Sequence, residues 1–314
     1  MTRSCYFFIF LIFISYQNLA QNISDTRLLH SPAISENNIA FIYAEDLWVA
    51  DKFGNNPRRL TIDEGVESDP VFSPDGSMIA FSAEYDGNWD VFVVPVSGGV
   101  PKRLTWHPSW DSVLDFTPDG KEVLFSSPRS TFTNRYSELY SVDINGGQPK
   151  KLPIPTAFKG AYSPDGKYLA YVPNYEVFNQ WKNYRGGTLG RIWIMDLSTN
   201  EVTEIPKPPG NSNEADPEWI GNKVFFRSDR DGEFNLYSYD LNTEKIEQHT
   251  NYSDFGVLSL NTSGNDLIYE YSGYLYQYSP ESGSSSKIKI GIATDLLELR
   301  SRYVSGLSLI HISE

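Results

Sequence analysis

At 314 residues the chain is long enough for one large core, and its formal charge of −14 at neutral pH argues against nucleic acid or an anionic membrane as partner. Aromatic residues make up 14% of it while amphipathic helical periodicity is almost absent, a balance that fits an all-β fold. The single cysteine, Cys5, provides neither a disulfide framework nor a cysteine-based metal site.

Residues 1–20 carry one charge, Arg3, then an apolar run from Tyr6 to Ile14 and a polar region ending in Leu19-Ala20-Gln21. This is the plan of a secretory signal peptide cut near Ala20, and its apolar run is too short to span a bilayer. The expectation is a periplasmic or secreted protein that has lost Cys5 and is stabilised by its core alone.

Beyond this segment the chain is organised by a repeat. Ser73-Pro74-Asp75-Gly76, Thr117-Pro118-Asp119-Gly120 and Ser163-Pro164-Asp165-Gly166 lie 44 and 46 residues apart. Degraded copies occur at Pro32–Phe41, Pro217–Phe226 and Leu258–Tyr269, making six units. In each clear copy proline presets φ, aspartate bonds back to the local backbone and glycine supplies a positive φ, so the tetrapeptide is a tight turn between strands. The second unit reads as strands Asp69–Ser73, Met78–Ala83, Trp89–Pro95 and Pro101–Thr105. Four short antiparallel strands per ~45 residues make a propeller blade.

The first blade closes on Arg58-Arg59-Leu60-Thr61, echoed by Lys102-Arg103-Leu104-Thr105 in the second; these endings read as solvent-facing outer strands whose charges discourage edge pairing. The third blade has a long connection, Pro128 to Arg135. In the fourth, after Tyr168–Val172, an insertion from Pro173 to Gly190 precedes a strand at Arg191–Asp196. It carries Trp181-Lys182-Asn183-Tyr184-Arg185-Gly186-Gly187, aromatic and basic residues beside glycines that do not match a phosphate loop. The fifth blade turns through Asp229-Arg230-Asp231-Gly232, and the sixth ends with an outer strand at Ser286–Ile290. Each blade therefore owns its four strands, and the expected fold is an all-β, six-bladed propeller without strand-exchange closure.

No Gly-x-Ser-x-Gly elbow occurs, and His30, His107 and His249 have no second histidine or cysteine at metal-ligand spacing. The residues alone therefore assign no catalytic group, no metal and no cofactor. The candidate contact residues, for substrate or for another domain, are Trp181, Tyr184, Arg185 and Arg191.

The Phe-Ser-Pro-Asp-Gly units resemble Tol-type periplasmic propellers and the propellers of prolyl-oligopeptidase-like enzymes. The segment Trp181-Lys182-x-Tyr184-Arg185-Gly186-Gly187-Thr188-x-Gly190-x-Ile192-Trp193-Ile194 is more specific and resembles the first propeller of tricorn proteases. So do Asp229-x-Asp231-Gly232 and Tyr274-Leu275-Tyr276, over roughly Leu28 to Tyr303. The resemblance implies a large, self-assembling serine peptidase that cuts oligopeptides. There the six-bladed propeller comes first, as a channel beside the catalytic chamber, followed by a second propeller, a PDZ domain and catalytic domains. Its catalytic residues lie in those later domains, so none is carried over to this chain. Expected partners are those domains, further copies of the same protein and peptides. Some family members hold a peptide carboxylate with a basic pair where this chain has His107-Pro108-Ser109-Trp110-Asp111, without arginine. The secretion signal also departs from the cytoplasmic setting of other members.

The expected organisation is a signal peptide over 1–20, the propeller over 28–291 and an exit linker over 292–306. The tail 307–314 looks like translated sequencing adapter, so continuation into further domains is expected past Gly306. Two alternatives remain open: a free-standing Tol-like propeller for protein–protein interaction, and the propeller of a prolyl-oligopeptidase-like enzyme.

Overall fold

The computed structural model describes residues 24–174 and 184–294; the signal segment, the middle of the insertion including Trp181, and the tail lie outside them. The described residues form six four-stranded antiparallel sheets, each from four strands consecutive in sequence. This is the six-bladed propeller predicted from the repeat. The inner strands are His30–Ile34, Glu67–Phe72, Ser112–Phe116, Lys159–Tyr162, Glu214–Ile220 and Val257–Ser263.

The second blade matches its expected strands to within two residues at their ends, with the inner strand at Glu67–Phe72, the third at Asp90–Pro95 and the outer strand contracted to Lys102–Arg103. Leu104 turns inward and Thr105 is buried, with Thr105 Oγ1 accepting from Val91 N at 3.0 Å. Thr61 and Thr250 do the same for Leu47 N and Leu236 N, each at 2.9 Å. The solvent-facing reading of the basic-Leu-Thr endings thus holds for Arg58 and Lys102. Arg59 and Arg103 are instead paired within their blades.

That pairing recurs at a spacing of thirteen residues from the start of the third strand to the outer strand. Asp46–Arg59 is 3.0 Å, Asp90–Arg103 is 2.5 Å and Glu138–Lys151 is 2.7 Å. In the sixth blade Lys287 lies over the Tyr274 ring, 3.2 Å from its centroid. In the fourth the charges are exchanged: Arg191 faces Glu204 at 3.4 Å.

The Pro-Asp-Gly turns fold as their chemistry requires. Ser73 Oγ donates to Asp75 Oδ1 at 2.6 Å and accepts from Met78 N at 3.0 Å, while Gly76 sits at φ +67°. Thr117 and Ser163 bond Asp119 and Asp165 at 2.8 and 2.7 Å, with Gly120 and Gly166 both at φ +70°. These hydroxyl and backbone donors hold the Asp119 and Asp165 carboxyls down to about 2. Successive turns also touch, since a Cβ on Gly120 would lie 3.4 Å from the Pro74 ring and one on Gly166 3.6 Å from the Pro118 ring.

The hydrophobic core is divided into six clusters, one at each junction between neighbouring blades. Each buried Leu, Ile or Phe contributes roughly 1.5–3 kcal/mol to holding two sheets together. A backbone hydrogen bond marks every junction, running from the segment that leads into one blade to the loop between the second and third strands of the blade before it. The six are Glu67 N to Glu45 O, Asp111 N to Trp89 O, Ala157 N to Ser137 O, Glu214 N to Gly190 O, Val257 N to Phe234 O and Leu28 N to Gly273 O. They span 2.8 to 3.1 Å. The last joins the first blade to the sixth, so the ring closes without strand exchange by the same contact used at every other junction.

Two further ties reinforce that seam. Thr26 N donates to Ile290 O at 2.7 Å, and Ile292 N donates to Thr26 Oγ1 at 2.9 Å. The sixth outer strand is Ser284–Lys287, earlier than expected. Ile288, Ile290 and Ile292 run on to pack with Leu29, Trp48 and Ala50 of the first blade. Their alternating apolar side chains suit a junction better than a solvated edge.

Candidate functional site: two axial cavities between unlike faces

The strand order fixes two faces. One carries the Pro-Asp-Gly turns; the other carries the loops between second and third strands together with the segments leading into each blade. Along the axis lie two cavities, of about 80 Å³ on the loop side and about 200 Å³ on the turn side, each lined by residues of all six inner strands. Glu218 borders both, and Pro74, Pro118 and Pro164 line the turn-side cavity. The predicted turn residues therefore frame one mouth of the axis.

On the loop side Asp69, Asp216 and Lys159 face the axis. Lys159 Nζ is 3.6 Å from Asp69 Oδ1, linking the fourth blade to the second across the third. The buried Arg227 guanidinium pairs with Asp216. Ser31, Asp69 and Asp216 each precede a proline and have φ of +48°, +49° and +49°. Each lies in a break of strand register, where the bulge turns the chain toward the axis. Pre-proline residues at positive φ are strained, and such strain concentrates at working sites.

On the turn side Asp115 accepts from Tyr162 N of the next blade at 2.9 Å and from Phe116 N at 2.7 Å. Glu218 accepts from Thr262 Oγ1 of the sixth blade at 3.1 Å. Burial pushes both carboxyls well above the ordinary range, and the charge of Asp115 pushes Glu218 further. The axis thus pairs two of its carboxylates with bases and leaves two held by neutral donors. None of these residues was singled out from sequence. The recurring acid-proline dipeptides Asp69-Pro70 and Asp216-Pro217 were the available signal.

The described end of the insertion, residues 184–190, packs on the fifth blade. Arg185 Nη1 donates to Asp229 Oδ2 at 2.8 Å, and Asn213 Nδ2 reaches both Tyr184 O at 3.1 Å and Asp229 Oδ2 at 3.0 Å. A Cβ on Gly190 would lie 2.6 Å from Glu214 O, so glycine there permits the junction bond. Tyr184 and Arg185 are brought together with the Asp229–Gly232 turn. Arg191 is not, being held in its own blade by Glu204.

Arg230 lies over Phe226 and Tyr237, 5.4 and 5.0 Å from their ring centroids, and pairs with Glu214. Burial raises the Glu214 carboxyl to about 7 against the pull of that guanidinium. Arg129 repeats the arrangement in the third blade over Phe125 and Tyr140, with Asp111 Oδ2 at 2.5 Å. Asp111 of the Trp106–Asp111 loop is thus engaged by an arginine from the neighbouring long loop. His107 Nδ1 accepts from Ser109 N at 3.1 Å. His249 bonds Ser238 Oγ and Tyr278 OH, each at 2.8 Å, and stacks on Phe225, tying the fifth blade to the sixth.

The sequence family described as the tricorn protease N-terminal β-propeller domain matches residues 26–284. A tricorn protease homolog of Saccharolobus solfataricus is 28% identical over 276 residues, covering 87% of this chain and 26% of the relative. The crystal structure of the tricorn protease aligns with a TM-score of 0.75 at 27% identity, covering 85% of this chain and 27% of that one. A putative tricorn-like protease N-terminal subunit of Sulfurisphaera tokodaii is 30% identical over 167 residues, 52% of this chain and 84% of the relative. A putative C-terminal subunit of the same organism is 30% identical over 91 residues, 29% of this chain and 11% of the relative. The structure of TolB from Acinetobacter baumannii shares the fold, with a TM-score of 0.65 at 21% identity over 81% of this chain and 63% of TolB. The chain spans about a quarter of the length of its full-length tricorn relatives.

Proposed function

Because this chain belongs to the tricorn protease N-terminal β-propeller family, we propose that it is the first domain of a serine peptidase that degrades oligopeptides, serving as channel and assembly surface and performing no catalysis alone. The observation that carries the channel role is the axis itself, lined at both cavities by all six inner strands and carrying Asp69, Asp115, Lys159, Asp216 and Glu218 among its lining residues. Inner strands locked by hydrogen bonds at every junction give such a passage a fixed width. The separate N- and C-terminal subunits of Sulfurisphaera tokodaii support an assembly role, since contact rather than chain connection would join them. The leader-like residues 1–20 support export to the periplasm or beyond.

Reading the source locus past the Gly306 codon tests the proposal. Continuation into a second propeller, a PDZ domain and a serine peptidase domain is the expected result. A stop directly after this stretch would sink it in favour of a free-standing propeller of the kind TolB represents. Continuation into an α/β-hydrolase with a serine elbow would point to the prolyl-oligopeptidase-like alternative.

A further inference from the structure

Exposed large apolar residues are distributed unevenly between the two faces. Leu28, Ile62, Trp106, Phe132, Tyr136 and Phe255 all belong to loops or lead-in segments of the loop face, with exposures from 51% for Tyr136 to 96% for Phe132. Among the described residues the turn face offers Phe53, Val100 and, at the start of an outer strand, Val202, with no exposed aromatic besides Phe53. Proteins rarely leave several aromatics in water on one side without a use, and Trp, Tyr and Phe are the residues that anchor interfaces.

The Phe132 loop is also pre-ordered. The Thr131 hydroxyl lies within 3.2 Å of the carbonyl oxygens of Pro128, Thr133 and Tyr136, and Arg129 at its base is clamped by Asp111. A loop already fixed loses little entropy when its tip is covered. Arg185, by contrast, is engaged by Asp229 within this chain, so the insertion's described base is less free to hold a partner than the aromatic loops.

The chain also leaves the ring at this side. Ile292 is hydrogen-bonded to Thr26, two residues from the exposed Leu28, so polypeptide continuing past residue 294 starts at the rim of the loop face. We propose that the loop face seats the next domain of the same polypeptide, with Trp106, Phe132 and Tyr136 as its anchors. This rests on the multidomain reading above. Exposed Asp63, Asp231 and Asp254 share the face with exposed Arg27 and Arg135, so the seated surface must offer groups of both charges beside its apolar contacts.

The test uses the full-length protein, nicked by limited proteolysis in the stretch after Thr294 and passed over a sizing column. The two pieces of the wild type are expected to co-elute, and those of a Trp106→Ser/Phe132→Ser variant to separate. A Phe53→Ser control on the turn face should behave as wild type. Separation of the wild-type pieces, or co-elution of the double variant's pieces, overturns the proposal while leaving the peptidase reading intact. Loss of oligomer size in the double variant with its pieces still joined would assign the face to a second copy and overturn it likewise. A stop codon at the locus overturns both readings together.

Discussion

Arg185 Nη1 sits 2.8 Å from Asp229 Oδ2, so the basic residue of the fourth-blade insertion is held by the fifth blade's turn. Asp229 is buried and keeps two donors from Asn213 if the arginine is removed. Arg185→Ala should therefore cost about 1 kcal/mol, as for a half-exposed pair, and lower Tm by a few degrees. It should also speed proteolysis within 184–190. An unchanged melting curve and cleavage rate would show that the insertion is held by other contacts. In the full-length enzyme, lost activity or oligomer size with little change in stability would show the insertion acting beyond its own ring.

The exchanged pair Arg191–Glu204 offers a cleaner experiment. Arg191→Asp places like charges together and should destabilise by about 0.5–1 kcal/mol in urea titration. Glu204 also pairs with Lys207 at 2.7 Å, so in a Lys207→Ala background adding Glu204→Arg recreates the orientation of Asp46–Arg59 and should restore most of the loss, a coupling measured by the double-mutant cycle. Additive losses would mean that the pair interacts negligibly.

Glu67 ties stability to pH. Buried against Tyr85, whose hydroxyl donates to Oε1 at 2.6 Å, its carboxyl rises from 4.5 to about 8, chiefly through loss of water. The folded state then binds more protons than the unfolded one between those values, so this contribution is full below pH ~4.5 and fades as pH rises through about 8. Glu67→Gln, which fixes the neutral form, should flatten the curve and at pH 8 gain on the order of 1–2 kcal/mol over wild type. Parallel Tm–pH curves for the two proteins would refute the assignment.

If peptides use the axis, narrowing it should matter by length. Ser259 is half-buried on the loop-side lining, and Ser259→Trp adds bulk there. In the full-length protein, turnover of long oligopeptides should fall roughly tenfold, about 1.4 kcal/mol in the barrier, with dipeptide-like substrates little affected. Equal effects on both would place the route elsewhere.

The blades were legible because their signals are local. Ser73, Thr117 and Ser163 bond aspartates two positions on, and the glycine that follows each aspartate has the left-handed φ its turn needs. The thirteen-residue spacing from Asp46 to Arg59 was equally present in the sequence, yet it shows itself only once Arg191 and Glu204 are seen to copy it with signs reversed. The axial groups were hidden for a different reason. Asp69, Asp115, Lys159, Asp216 and Glu218 come from four blades, and only ring closure brings them to one lining. Arg129 with Asp111 was hidden likewise, because the partners sit in loops that share no motif.

The bond from Leu28 to Gly273 makes the position of the chain ends almost arbitrary with respect to the fold. Linking residue 294 back to residue 24 and cutting instead in another lead-in segment, near Ile62 or Phe255, would leave all six inter-sheet contacts in place. Such a circular permutant should assemble the same ring, whereas a propeller fastened by a shared sheet would lose its clasp when cut within it. Evolution could have begun this gene at any of six points, and modules could be appended at whichever junction a larger machine requires.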